Sequence, residues 1–124
     1  MTPTELAENP AVRRWFTSAN LDELDEEGKT HRLALLADFC AHTGQQPEEL
    51  VSGLLRTTKD GHTAIAAKRR IVMNATIDEF VEKSGFTGKE AVINGNVIRS
   101  FLVHNGIFIQ GRAWREGSGA SAPS

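Results

Sequence analysis

The chain has 124 residues, 40% of them hydrophobic and 24% charged, which is the composition of one globular domain with a modest core. Fourteen Lys and Arg stand against 16 Asp and Glu, a net charge of -2, and that balance argues against a uniformly basic nucleic-acid coat protein. The charge is uneven: residues 1–60 hold six basic and eleven acidic side chains, a net of -5, and residues 61–124 hold eight and five, a net of +3. An acidic first half and a basic second half point to an anionic partner for the second. Cys40 is the single cysteine, so no intramolecular disulfide and no cysteine-based zinc site is expected. The absence of a spanning apolar run and of a signal-peptide pattern leads us to expect a cytoplasmic protein without membrane contact.

Residues 1–8 read as a disordered N-terminus. Asn9-Pro10 is a helix start, an Asn cap followed by Pro in the first turn. Val12, Trp15 and Phe16 then fall on one face, and this helix fades near Asn20. Leu21 and Leu24 pin the connection to the core. Asp25 is the next cap, with Glu26 and Glu27 at the positive end of the helix dipole. Leu33, Leu36, Phe39 and Cys40 recur at helical spacing and Gly44 is a natural stop, which predicts a helix over 26–42. Pro47-Glu48-Glu49 opens a third helix over 47–56, with Leu50, Val51, Leu54 and Leu55 as its stripe. Thr57 to Gly61 is a turn.

A longer helix is predicted over 63–83, with Ile65, Arg69, Val72, Met73, Thr76, Ile77, Phe80 and Val81 inward and Lys68, Arg69 and Arg70 as a basic patch. Gly85 ends it. Thr87-Gly88-Lys89-Glu90 is a capping box. The helix it opens carries Ile93, Val97, Ile98, Phe101 and Leu102 inward and stops at Gly106. Ile107, Phe108 and Ile109 form a short extended piece against the core. Residues 111–124, rich in Gly, Ser and Ala, have the composition of a flexible linker or tail. The expected fold is all-α, an orthogonal bundle of four to five helices over 9–110.

The residues suggest no enzyme. His31, His42, His62 and His104 are nowhere at metal-ligand spacing. Cys40 lies on an apolar stripe, as a buried inert thiol does. The acidic run from Asp22 to Glu27 lacks the calcium-loop pattern, and no glycine-rich phosphate loop occurs. Neither a metal nor a cofactor is expected.

On a helical wheel the last helix carries Lys89, Asn96, Arg99 and Ser100 opposite its apolar half. Lys and Arg neutralise phosphates, Asn and Arg read base edges, and the N–H groups at Thr87 and Gly88 suit a phosphate. The plain alternative is a solvated helix face. Gly95, in mid-helix, either admits the close approach of another backbone or of DNA, or is a tolerated flaw that costs about 1 kcal/mol.

Two blocks resemble a known family. Lys29-Thr30-His31-Arg32 with Leu33, Leu36, Phe39-Cys40, Thr43-Gly44 and Pro47-Glu48-Glu49-Leu50 forms the first. Ile77-Asp78-Glu79-Phe80, Gly85-Phe86-Thr87, Val97-Ile98-Arg99-Ser100-Phe101 and Asn105-Gly106-Ile107 form the second. In order and spacing, over residues 9–109, they resemble the N-terminal core-binding (SAM-like) DNA-binding domain of the tyrosine recombinases, or phage integrases. That resemblance implies a helical clamp on double-stranded DNA, with the segments 26–42 and 87–104 facing it and a separate catalytic domain following. It implies DNA contacts from Lys29, Arg32, Thr87, Lys89, Asn96 and Arg99. Arg32 falls within the apolar stripe, where a long side chain snorkels, and His31 lies further out, so His31 joins the set.

The chain departs from the family in three places. Arg32 and Asn94 stand where tyrosines are common, and Glu90 where Thr is usual. The chain contains no tyrosine, so the expectation is DNA binding in integration or recombination without cleavage by the family's tyrosine chemistry. The rival expectation is a helical protein-interaction or dimerisation domain without DNA affinity, meeting a second copy through Val92, Val103, Ile109 or Trp114.

Overall fold

The computed structural model describes residues 2–111. Among them six α-helices and one small sheet follow in the order α1 (Pro3–Ala7), α2 (Pro10–Ser18), a 3-10 turn (Leu21–Glu23), α3 (Glu26–Thr43), α4 (Pro47–Ser52), β1 (Leu55–Thr57), β2 (Thr63–Ile65), α5 (Ala67–Lys83) and α6 (Gly88–Val103). The chain is thus mostly helical.

Local signals start and stop several of these helices. The Asn9 side chain accepts the Ala11 N–H at 2.9 Å, and Asp25 accepts the Gly28 N–H at 2.8 Å. The Glu49 carboxylate reaches back to the Gln46 N–H at 2.9 Å. Gly44 ends α3 at φ +71°, and Gly85 follows α5 at φ +85°, a left-handed conformation that glycine adopts without penalty. The predicted capping box at α6 differs: Thr87 is the N-cap residue, but its side chain makes no capping bond.

Three segments depart from the sequence expectation. Residues 3–7 are helical, and Leu6 is fully buried where a disordered end was expected. A five-residue helix is not stable alone. Packing against α2 and α3 holds it. The helix expected over 47–56 stops at Ser52, and the helix expected over 63–83 begins at Ala67. Between them Leu55–Thr57 pairs antiparallel with Thr63–Ile65, Leu55 opposite Ile65 and Arg56 opposite Ala64. β-branched Thr57, Thr58 and Thr63 flank an Asp60-Gly61 turn in which Gly61 has φ +82°, a hairpin pattern that overrides the helical spacing of the apolar residues. Residues 112–124, which hold most of the expected tail and Trp114, lie outside the described residues.

α6 is the central helix and packs against α2, α3 and α5. Val97, Ile98, Phe101 and Leu102 are buried along it. Trp15 of α2 is fully buried and meets Phe101 edge-on at 5.5 Å, while its indole N–H donates to Ser100 Oγ at 3.1 Å. That bond satisfies the one polar group the ring brings into the core. Phe39 of α3 and Phe80 of α5 are edge-on at 5.1 Å. After α6, Ile107 and Ile109 are buried and Phe108 is exposed, the alternation of an extended segment against the core. No helix among the described residues is long and apolar enough to cross a membrane.

Candidate nucleic-acid interface

The candidate residues come from two helices, α3 and α6, which pack against each other. His31 of α3 is exposed, and its Nε2–H donates to Asn94 Oδ1 at 3.1 Å. Asn94 is only 2% exposed, so this bond satisfies a buried amide and ties the two helices together. Lys29 lies on α3 with its side chain 27% exposed and its ammonium 3.7 Å from Glu26. Arg32 is half-buried and donates to the Gly28 carbonyl at 3.2 Å, along its own helix. Thr87 and Lys89, at the start of α6, are exposed. The depression bordered by His31 and Arg32 is also bordered by Asp25, Glu26 and Glu27, so charge of both signs meets solvent there.

The structure divides the predicted set. Arg99 was expected on the solvent face of the last helix, yet it is 2% exposed. Its Nη2 donates to Asp78 at 2.7 Å and its Nε to Asn74 Oδ1 at 2.6 Å, both on α5. Asn96 is half-buried and accepts from Arg99 Nη1 at 3.4 Å. Ile93, expected inward, is 49% exposed. The face of α6 is therefore rotated from the predicted one: Lys89, Ile93 and Val103 reach solvent, Asn94 turns to α3, and Arg99 turns to α5. A helix buried over more than half its circumference carries polar groups on the flanks of its apolar stripe, and a wheel does not reveal that a neighbour waits there.

Gly95 has a structural explanation in this arrangement. A Cβ at that position would stand 2.8 Å from Arg99 Nη1 and 3.5 Å from Val81 Cγ2. Its hydrogen thus makes room for the guanidinium between α5 and α6. Neither the partners of Arg99 nor the role of Asn94 was legible in the sequence. The only hint was that Asp78 and Asn74 sit four residues apart on one flank of a helix.

A second basic surface lies away from α6. Arg69 Nη1 donates to the Gly53 and Leu55 carbonyls at 3.3 and 3.4 Å, and Arg70 Nη1 to the Phe108 carbonyl at 3.3 Å. Lys68 and Arg69 border an open groove of about 440 Å³ that reaches Thr43 and Gln45 at the end of α3. Val72, predicted inward, is 64% exposed beside that groove, and Ile71 is 68% exposed.

The remaining chemistry is sparse. Cys40 is buried, and burial pushes its thiol up to about 11. Among the described residues no group of three His, Cys, Asp or Glu side chains converges as a metal site. No family model, curated protein or solved structure matches this chain.

Proposed function

We propose that this chain is a DNA-binding module with the SAM-like orthogonal helical arrangement of integrase core-binding domains, and that it clamps duplex DNA without cleaving it. The observation that carries this reading is the His31–Asn94 bond. The resemblance assigns two separate segments to the duplex, and this bond joins those two segments, α3 and α6. Of the predicted set, His31, Thr87 and Lys89 are exposed and Lys29 is partly so. Arg99 acts from within, by holding α6 to α5, while Arg32 bonds a carbonyl of its own helix and Asn96 accepts from Arg99. The absence of tyrosine from the chain supports binding without tyrosine-mediated cleavage. Such a module serves a recombinase whose catalytic domain supplies the nucleophile.

The test is binding to a labelled duplex at two salt concentrations. Phosphate contacts release counterions, so affinity falls as salt rises. The expected result is binding at about 50 mM salt that weakens by roughly tenfold or more at about 200 mM. The double variant Lys29→Ala/Lys89→Ala weakens it further. Absence of binding at low salt overturns the proposal.

A second reading rests on exposed apolar groups: Ile71, Val72 and Phe108 are 68%, 64% and 69% exposed. Of the residues expected to meet a second copy, Val103 is exposed, Val92 is half-buried and Ile109 is buried. In this reading the chain is a helical interaction domain. A dimer in light scattering, combined with no duplex affinity, favours it over the first.

A further inference from the structure

Between Glu49 and Asp78 the chain carries Arg56, Lys59, Lys68, Arg69 and Arg70, and Asp60 is the single acidic residue. The hairpin and the first turn of α5 therefore hold a net +4 in a chain whose total is -2. Tertiary structure gathers these residues. Ala66 N–H donates to the Leu54 carbonyl at 2.7 Å and Arg69 bonds the Gly53 and Leu55 carbonyls, so the start of α5 is fastened to the base of the hairpin. Arg56 stands opposite the small Ala64 in the two-stranded sheet, and Arg56, Lys59 and Lys68 are all exposed. Among the described residues none of the five cations forms an ion pair with a carboxylate. Arg69 and Arg70 bind neutral carbonyls instead, which fixes their position and leaves their charge uncompensated. No side chain caps the N-terminus of α5, and its dipole adds to the same sign.

We infer that this hairpin and the start of α5 form a second phosphate-binding surface for duplex DNA, distinct from the α3–α6 face. The inference rests on the duplex-binding proposal above. The groove shared with Thr43 puts the surface at the C-terminal end of α3, whereas Lys29 is near its N-terminal end. The two points are about 21 Å apart along the axis, at about 1.5 Å per residue. That separation spans roughly six nucleotides of a strand at about 3.4 Å each, so the two surfaces serve different phosphates of one duplex. A neutral partner gains nothing from uncompensated cations, and a polyanion gains at each.

The experiment compares wild type with Arg56→Ala/Lys59→Ala/Lys68→Ala by fluorescence anisotropy on a labelled duplex across a salt series. Each lost phosphate contact reduces the slope of log affinity against log salt by about 0.9, so the triple variant is expected to lose about 2 to 3 in slope and roughly tenfold or more in low-salt affinity. The charge-conserving variant Arg56→Lys/Lys59→Arg/Lys68→Arg is expected to keep the wild-type slope. Lys68→Glu alone, at an exposed helix position, supplies the same readout if the triple variant melts early. Wild-type binding with unchanged slopes in the triple variant and in Lys68→Glu overturns the second surface and leaves the α3–α6 proposal standing. A wild-type chain with no duplex affinity removes both.

Discussion

Arg99 Nη2 stands 2.7 Å from a carboxylate oxygen of Asp78, and this pair fastens α6 to α5 across the interior. The arginine side chain is 3% exposed and the aspartate 48%. The guanidinium is thus the buried partner and depends on its hydrogen bonds, while the carboxylate keeps part of its hydration. The cost of breaking such a pair falls mainly on the group left buried.

Asp78→Asn and Arg99→Ala are therefore expected to differ in kind from surface substitutions. Asp78→Asn keeps an acceptor oxygen but removes the negative charge facing a buried cation, at a cost of about 1–3 kcal/mol. Arg99→Ala removes the charge but opens a space beside Gly95, at about 3 kcal/mol. Arg99→Met, which refills the space, recovers much of that loss. Chemical denaturation of the four proteins checks the order. A neutral Arg99→Ala would show that the pair contributes nothing to holding α5 on α6.

Leu6→Ala tests the N-terminal helix. Leu6 is fully buried, so truncation is expected to cost about 2–5 kcal/mol, the range for an interior leucine. A midpoint unchanged from wild type would mean that α1 does not pack as described. Thr2→Ala, at an exposed cap, is expected to cost only about 0.5–1 kcal/mol.

Cys40 predicts a pH dependence. Burial raises the folded thiol from 9.0 to about 11, so the unfolded chain releases its proton first as pH rises. Stability from this group is present below pH 9 and is lost between the two values. At pH 10 the wild type is expected to have lost about 1 kcal/mol through this group, and Cys40→Ala nothing. The stability gap between them therefore narrows from pH 7 to pH 10. A gap that stays constant contradicts the shift. In the folded chain the thiol is also expected to react slowly with alkylating reagents at pH 8.

What the sequence determined by itself is the set of events decided within a few residues. Asn9 and Asp25 announce helix starts because their side chains bond N–H groups two or three residues on. Gly44 announces a stop because a left-handed residue is needed there. The apolar stripes of α2, α3 and the second half of α5 follow from helical spacing, as Trp15, Phe39 and Ile77 illustrate. Charge division along the chain was legible too, since it needs only counting.

Tertiary structure decided the rest. Arg99 and Asn94 sit inside because α5 and α3 supply partners for them, and those partners are 21 and 63 positions away in the chain. Leu6 orders a helix too short to stand alone because other helices cover it. Leu55 joins a strand rather than a helix because Ile65 stands opposite it. Composition and periodicity report how much polar and apolar surface a segment carries. Which neighbour satisfies a buried polar group is settled only when distant segments meet, and here that took Arg99 from the expected solvent face of α6 into the interior.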